Sequence, residues 1–263
     1  MDSVNNTLYI PLYGKAYVSR RGLLLQDTDA ERIWETAGFP LKGKAKSKWL
    51  AYNMGMRSAV FDRWTAAAMK EQPDAIVLYL GCGLDSRVHR LKATEKCWYD
   101  IDFPSVIEER KRYFSETGHY RMISADIRDP DWLHTLSGDA AIVVMEGVSM
   151  YLTNAELQTL FCRLNSRFTR LSILMDSYTT FAAKATKYKN PINQVGVTQV
   201  YGFDDSLLPI SETNIRFLRE WELTPEDMIL TLPRREQGFF RAMFAGRFAK
   251  KIYRLYEYKK DTE

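Results

Sequence analysis

The sequence predicts an α/β fold: a mostly parallel seven-stranded sheet with helices on both faces, an antiparallel last strand and a helical N-terminal cover. Three observations carry this prediction. Five short apolar runs between residues 75 and 175 alternate with segments of helical spacing, the pattern of a parallel sheet covered on both sides. The first run ends in Gly81-Cys82-Gly83, as a buried strand does when it turns sharply into a helix. Two further runs after residue 210, separated by a proline-led polar stretch, read as an antiparallel hairpin closing the sheet.

The first 70 residues read as helices broken at Pro11, Gly22 and Gly38-Phe39-Pro40. Asp27-Thr28-Asp29 caps a helix through Ala37, with Ile33 and Trp34 toward a core. Lys48 to Met69 is helical again, with Leu50, Met54, Val60, Phe61, Trp64 and Met69 as packing positions; Gly55 weakens it and Pro73 ends it. The strands follow as Ala75–Leu80, Cys97–Asp102, Tyr120–Ser124, Ala140–Met145 and Leu171–Met175. Helices are expected from the glycine turn through Leu91, from Pro104 until Gly118, and over Ala155–Phe168. Residues 177–210, with Pro191 and Pro209, break the alternation. Glu212–Glu220 then suggests a helix, and Met228–Leu232 and Gly238–Ala245 the two closing strands around Pro233-Arg234-Arg235-Glu236-Gln237.

Composition narrows the function classes. With 46% hydrophobic and 27% charged residues the chain is neither collagenous nor intrinsically disordered, and no run of about 18 apolar residues is present to span a bilayer. Met1-Asp2-Ser3-Val4-Asn5-Asn6 lacks the basic and apolar regions of a signal peptide, and the three cysteines, Cys82, Cys97 and Cys162, form no C-x-x-C. A reduced, cytoplasmic protein without a structural zinc site is expected. The net charge of +4 is local: residues 247–260 carry +5, so the rest of the chain sums to about −1. That distribution, with a short lysine cluster at Lys42, Lys44, Lys46 and Lys48, argues against a nucleic-acid partner.

The glycine turn and the next strand together suggest a nucleoside site. Without side chains the backbone at Gly81 and Gly83 approaches a ligand closely, and an acid closing the second strand accepts from both hydroxyls of a ribose. Asp100 and Asp102 both stand there, two residues apart on one face, and the pattern leaves the choice open. Ser86 occupies the third glycine position of the dinucleotide fingerprint, and the chain's Tyr-x-x-x-Lys lies far away at Tyr256–Lys260, so a dehydrogenase is disfavoured. S-adenosylmethionine carries no phosphate and needs only the close turn, with Asp126 after the third strand placed to meet the adenine amino group.

Four ordered motifs, Leu80-Gly81-Cys82-Gly83-Leu84-Asp85-Ser86-Arg87, Asp100-Ile101-Asp102-Phe103-Pro104, Ala125-Asp126-Ile127-Arg128-Asp129 and Glu146-Gly147-Val148-Ser149-Met150-Tyr151-Leu152, resemble the leucine carboxyl methyltransferase family, especially its branch of polyketide O-methyltransferases. The segment from Thr7-Leu8-Tyr9-Ile10-Pro11 to Gly14-Lys15-Ala16 looks like that branch's opening, and Arg57-Ser58-Ala59-Val60-Phe61-Asp62 like its arginine-bearing helix. The resemblance implies a Rossmann-like class I methyltransferase of one domain. Residues 1–70 would form the cover, 74–176 the cofactor-binding half, 177–210 a substrate-lid insertion, and 211–263 a closing helix, strands and basic tail.

It further implies S-adenosylmethionine as cofactor and a small-molecule methyl acceptor without membrane partners. Lys15 and Arg57 would pair with the methionine carboxylate and Gly81 would lie against methionine and ribose. Asp102 would hold the ribose hydroxyls, Asp126 and Ile127 would frame adenine, Glu146 would sit near the amino group, and Tyr151 beside the transferred methyl or the acceptor. Lys15 stands where many relatives have arginine, and Met145 where a small residue precedes the glutamate. Asp85 and Arg87 read as braces of the following helix, Asp100 as structural, and Cys82 as a small turn residue rather than a reactive thiol. His89, His119 and His134 do not mark a catalytic base, so positioning and desolvation are expected to dominate. The aromatics Tyr178, Phe181, Tyr188, Tyr201 and Phe203 either grip a flat acceptor or pack a lid. Methylation of a protein carboxylate or a nucleic acid, and cofactor binding without catalysis, are the alternatives.

Overall fold

The computed structural model describes residues 8–38, 43–93, 95–185 and 199–261. Its strands are β1 (Ile76–Leu80), β2 (Trp98–Asp102), β3 (Tyr120–Ser124), β4 (Ala140–Met145), β5 (Arg170–Tyr178), β6 (Arg216–Glu220) and β7 (Tyr253–Lys260). They lie side by side in the order β3-β2-β1-β4-β5-β7-β6. The pairs among β1 to β5 are parallel, and β7 runs antiparallel to both β5 and β6. This is the predicted seven-stranded, mostly parallel sheet. Its strand order reverses between β1 and β4, which opens a crevice at their carboxyl ends.

Every residue of β1 and β4 is buried, which is why both read as unbroken apolar runs. Alternate side chains serve two cores. Val77, Tyr79, Ile142 and Val144 join a cluster with helices α1 (Tyr9–Ser19), α2 (Thr28–Ala37) and α3 (Lys48–Glu71). Ile76, Leu78, Leu80, Ala141 and Val143 join the opposite one, with Leu157, Phe161 and Leu164. Asp27 caps α2 as expected, its carboxylate accepting from the Ala30 N–H at 2.9 Å. Gly55 does not weaken α3 but lets α1 approach: a Cβ there would lie 2.8 Å from Val18 Cγ2. Pro11 likewise falls within the first turn of α1, where the missing N–H costs no helical bond, and does not break it.

The glycine turn leads into a short α4 (Arg87–Arg90), and α5 (Pro104–Arg110) stops well before Gly118. Helix α6 (Asn154–Arg167) starts at a capping box, in which Thr153 and Glu156 each satisfy the other's backbone N–H. The stretch after β5 holds a short helix, α7 (Thr180–Ala185), while Phe39-Pro40, Lys42, Tyr188, Pro191 and Thr7 lie outside the described residues.

The carboxyl-terminal third corrects three expectations. Glu212–Glu220 is not a helix; its second half is the edge strand β6. Met228–Leu232 and Gly238–Ala245 are not strands, because α8 (Glu226–Ile229) and α9 (Arg234–Phe244) occupy them, followed by α10 (Gly246–Lys250). Phe240 and Phe244, four apart, stack on one helical face at 5.1 Å between centroids, a spacing the strand reading overlooked. The basic tail is instead mostly β7, inserted between β5 and β6 with Leu255 to Tyr258 buried. Its charges have local partners: Arg254 donates to Glu220 at 2.9 Å, and the Lys260 ammonium donates to the carbonyls of Asn165 and Phe168 at 2.7 and 3.0 Å. Among the described residues no helix is long and apolar enough to cross a membrane.

Candidate active site

The crevice holds a cavity of about 610 Å³, whose walls include Lys15, Arg57, Gly81, Asp102, Asp126, Ile127, Glu146 and Tyr151. The structure therefore brings together all eight residues named from the sequence, drawn from α1, α3 and the carboxyl ends of four strands. Gly81 sits at φ +68°, and a Cβ there would drive into Val148 Cγ2. Gly81→Ala is expected to cost about 1–2 kcal/mol from backbone strain alone and to weaken cofactor binding, measurable by thermal melting and titration calorimetry.

The two candidate acids separate cleanly. Asp102, the last residue of β2, faces the cavity. It accepts from the Gly83 and Phe103 N–H groups, both at 2.8 Å, and each carboxylate oxygen keeps a lone pair for a ligand. Burial lifts its pKa to about 6 against those two hydrogen bonds. Asp100 points into the protein, where it pairs with Arg110 and accepts from Tyr120 Oη at 2.7 Å and Trp98 Nε1 at 2.8 Å. Arg110 also donates to the Gly83 carbonyl at 2.9 Å, so this buried pair supports the glycine turn from beneath. Cys82 is buried beside them, and burial pushes its thiol well above the ordinary range, which disfavours the thiolate.

Lys15 and Arg57 are buried in an ionic network rather than standing alone. Lys15 Nζ lies 2.6 Å from Asp85, whose carboxyl burial would raise but whose neighbours Arg90, Lys15 and Arg87 hold it well below the usual range. Arg57 Nε donates to Glu146 at 3.0 Å and Nη1 to Tyr253 Oη at 3.1 Å, with Asp176 3.5 Å away. Arg87 ties Glu146 to Asp62, and its backbone N–H donates to the Asp85 carboxylate at 2.8 Å, the brace expected of Asp85. Asp27, Asp62, Asp85, Glu146 and Asp176 face Lys15, Arg57, Arg87 and Arg90, one carboxylate in excess when all are ionised.

Asp126 is held by Arg128, whose hydrogen bonds lower its pKa. None of the three histidines lines the cavity; His89 lies 2.9 Å from Asp29, and His119 and His134 are exposed. Of the aromatics proposed to grip an acceptor, Tyr178 lines the cavity. Phe203 instead stacks on Tyr256, and Phe181 is 62% exposed. Sequence reasoning missed Asp176 and Tyr253, and it missed the apolar wall of Leu223, Met243, Phe244, Ala249 and Ile252. An acid at the end of a buried strand, as at Asp102, was the available signal for Asp176.

The sequence model of leucine carboxyl methyltransferase matches residues 11–165. The chain is 28% identical over 227 residues to the tetracenomycin polyketide synthesis O-methyltransferase TcmP of Streptomyces glaucescens, covering 85% of this chain and 84% of that one. It is 30% identical over 135 residues to the S-adenosyl-L-methionine-dependent methyltransferase dpfgK of Gibberella zeae, 48% of this chain and 45% of that one. Among solved structures, a Thermobifida fusca protein superposes with a TM-score of 0.58 at 11% identity, covering 95% of this chain and 94% of that one. Magnesium protoporphyrin IX methyltransferase of Synechocystis, solved with bound SAH, gives 0.51 at 13% identity over 89% and 99% of the respective chains. These two likenesses are of fold.

Proposed function

The chain belongs to the leucine carboxyl methyltransferase family, and from that premise we propose that it moves a methyl group from S-adenosylmethionine to a hydroxyl or carboxylate oxygen of a small, largely apolar acceptor. It is an S-adenosylmethionine-dependent methyltransferase. The observation that carries the finer reading is that the glycine turn and Asp102 share one cavity with an apolar wall of Met54, Met150, Leu223, Met243, Phe244 and Ile252.

The residues fit the cofactor. Asp102, oriented by two backbone N–H groups, would accept from the ribose hydroxyls, and the Gly81 turn would lie against methionine and ribose. Arg57 would reach the methionine carboxylate, with Lys15 beside it and Glu146 near the amino group. Asp126 and Ile127 would frame adenine, and Tyr151 would flank the methyl group. The one carboxylate in excess suits a ligand that carries a sulfonium in addition to its zwitterion. When bound, the sulfonium supplies a methyl group activated for in-line displacement. The protein's part is to align the acceptor oxygen and exclude water. TcmP, by its name an O-methyltransferase of polyketide synthesis, supports a polyketide-like acceptor.

Incubation with labelled S-adenosylmethionine and a panel of phenols and carboxylic acids tests this reading, with mild base separating labile esters from stable ethers. Binding of NADH but not of S-adenosylhomocysteine in a calorimeter would overturn it. Affinity for S-adenosylhomocysteine should also depend on pH. The ionised form of Asp102 accepts both ribose hydroxyls, whereas a proton blocks one acceptor. With its folded pKa raised to about 6, affinity should be flat above pH 7 and fall below pH 6, by up to about tenfold per unit. Calorimetry between pH 5 and pH 8 reads this directly.

A further inference from the structure

We propose that Tyr253 and Asp176 form a proton relay for a hydroxyl acceptor, with Tyr253 touching the acceptor oxygen and Asp176 storing its proton. The inference rests on the methyltransferase reading above and adds a base to it. Position is the first argument. The glycine turn follows β1 and the ribose acid ends β2, and Glu146 and Tyr151 line the same cavity after β4, so a cofactor held by the turn would carry its methionine end toward β4. An acceptor would then meet the wall that Tyr178 and Tyr253 give the cavity from β5 and β7. Asp176 lies on β5, and Tyr253 opens β7 directly opposite Tyr178.

Hydrogen-bond inventory is the second argument. Tyr253 Oη donates its single proton to Asp176 Oδ2 at 2.6 Å and accepts from Arg57 Nη1 at 3.1 Å. A phenolic oxygen has two lone pairs, so one remains, on a residue that lines the cavity. Asp176 is held by the Gly147 N–H, which donates to Oδ1 at 2.7 Å, and its side chain is wholly buried. Tyr253 thus forms a bridge from the cavity to a carboxylate that solvent does not reach. No histidine lines this cavity to do the same work.

The charged and titratable groups facing the pair come from each neighbouring element: the Arg57 cation from α3, the Glu146 carboxylate after β4, and the neutral Tyr178 phenol from β5. Burial raises the Asp176 carboxyl to about 6, with Arg57 and the Tyr253 hydrogen bond opposing and Glu146 assisting. Asp176 is therefore ionised at neutral pH and a better base than an exposed aspartate. The step balances as follows. The acceptor oxygen bonds the methyl carbon, and the carbon–sulfur bond breaks with its electron pair remaining on sulfur. The hydroxyl proton passes to Tyr253 Oη while the phenolic proton passes to Asp176 Oδ2. Asp176 returns its proton through Tyr253 after the products leave.

The test uses the full chain, labelled S-adenosylmethionine and 4-methylphenol as acceptor, which stays protonated across the pH range read, with 4-nitrobenzoate in parallel. Tyr253→Phe and Asp176→Asn should each lower kcat on 4-methylphenol about 100-fold, while leaving the S-adenosylhomocysteine Kd within about threefold. Tyr253→Phe should also weaken 4-methylphenol binding to the S-adenosylhomocysteine complex by about fivefold, for one lost hydrogen bond. Wild-type kcat should fall below pH 6 with unit slope, and this limb should vanish in Asp176→Asn. A merely structural role would not move that profile. Undiminished kcat in Tyr253→Phe, or an unchanged acid limb in Asp176→Asn, overturns the relay and leaves the methyltransferase reading standing. Absence of transfer to 4-methylphenol by the wild-type protein also overturns it. The 4-nitrobenzoate reaction and the S-adenosylhomocysteine titration then show whether the wider reading falls with it.

Discussion

Asp102→Ala is expected to weaken S-adenosylhomocysteine binding by about 100-fold or more, with little loss of thermal stability. Two hydrogen bonds from ribose hydroxyls to a carboxylate are worth about 1.5–3 kcal/mol each, so losing both removes a substantial part of the binding free energy. The folded chain loses less. Asp102 accepts from Gly83 and Phe103 N–H groups that border the cavity, where water can replace it. Its pKa is raised on folding, so the ionised carboxylate opposes folding at neutral pH, and that penalty fades as pH falls through about 6. Calorimetry with a parallel melt separates the two effects. A variant that binds as tightly as the wild type would refute the ribose assignment.

Asp100→Ala should show the opposite balance. It leaves the fully buried Arg110 guanidinium without its carboxylate, and breaking a buried pair in this way costs about 3–5 kcal/mol. For a chain of this size that corresponds to a fall of about 10 °C in Tm. Tyr120 and Trp98 lose their acceptor as well, and the Gly83 carbonyl stays tied to a displaced arginine. Replacing both partners, as in Asp100→Leu with Arg110→Met, should recover part of the loss, because an apolar pair avoids the uncompensated charge. Urea unfolding of the single and double variants measures this. Equal stability of Asp100→Ala and the wild type would show that the pair does not carry the turn.

The contrast between these acids shows what a sequence discloses. Both sit on one face of β2, and the difference arises because Asp102 extends past the last turn of packing while Asp100 stays beneath it. Strand periodicity carries no such depth. The parallel strands were readable because β1 and β4 are buried on both faces and admit only apolar residues. Strand β6 was not, because an edge strand with exposed Arg216, Leu218 and Arg219 lacks a two-residue hydrophobic period. Strand β7 was hidden by lysines and arginines whose partners lie on other elements. The turn residues and the acid that lines the cavity from the end of β2 could be named because close backbone approach and anion placement demand particular residue types. Asp176 and Tyr253 required the three-dimensional pairing of β5 with β7, and the network joining Arg87, Asp62 and Glu146 required the packing of α3 on the sheet.

The insertion of β7 between β5 and β6 has a consequence for biosynthesis. Leu171 pairs with Lys260, and Arg216 with Lys259, so among the described residues β6 acquires its sheet neighbour from residues translated about forty positions later. A nascent chain that has emerged through Glu220 can pair β1 to β5, yet it carries β6 with no strand to receive it. Its β5 edge is also open to other chains. Tyr253 joins the cavity wall only when that late strand docks. For a chain that folds as it is made, the β7 wall of the cavity therefore closes after the wall at the ends of β1 to β4, and the ordering follows from the strand sequence 5-7-6 alone.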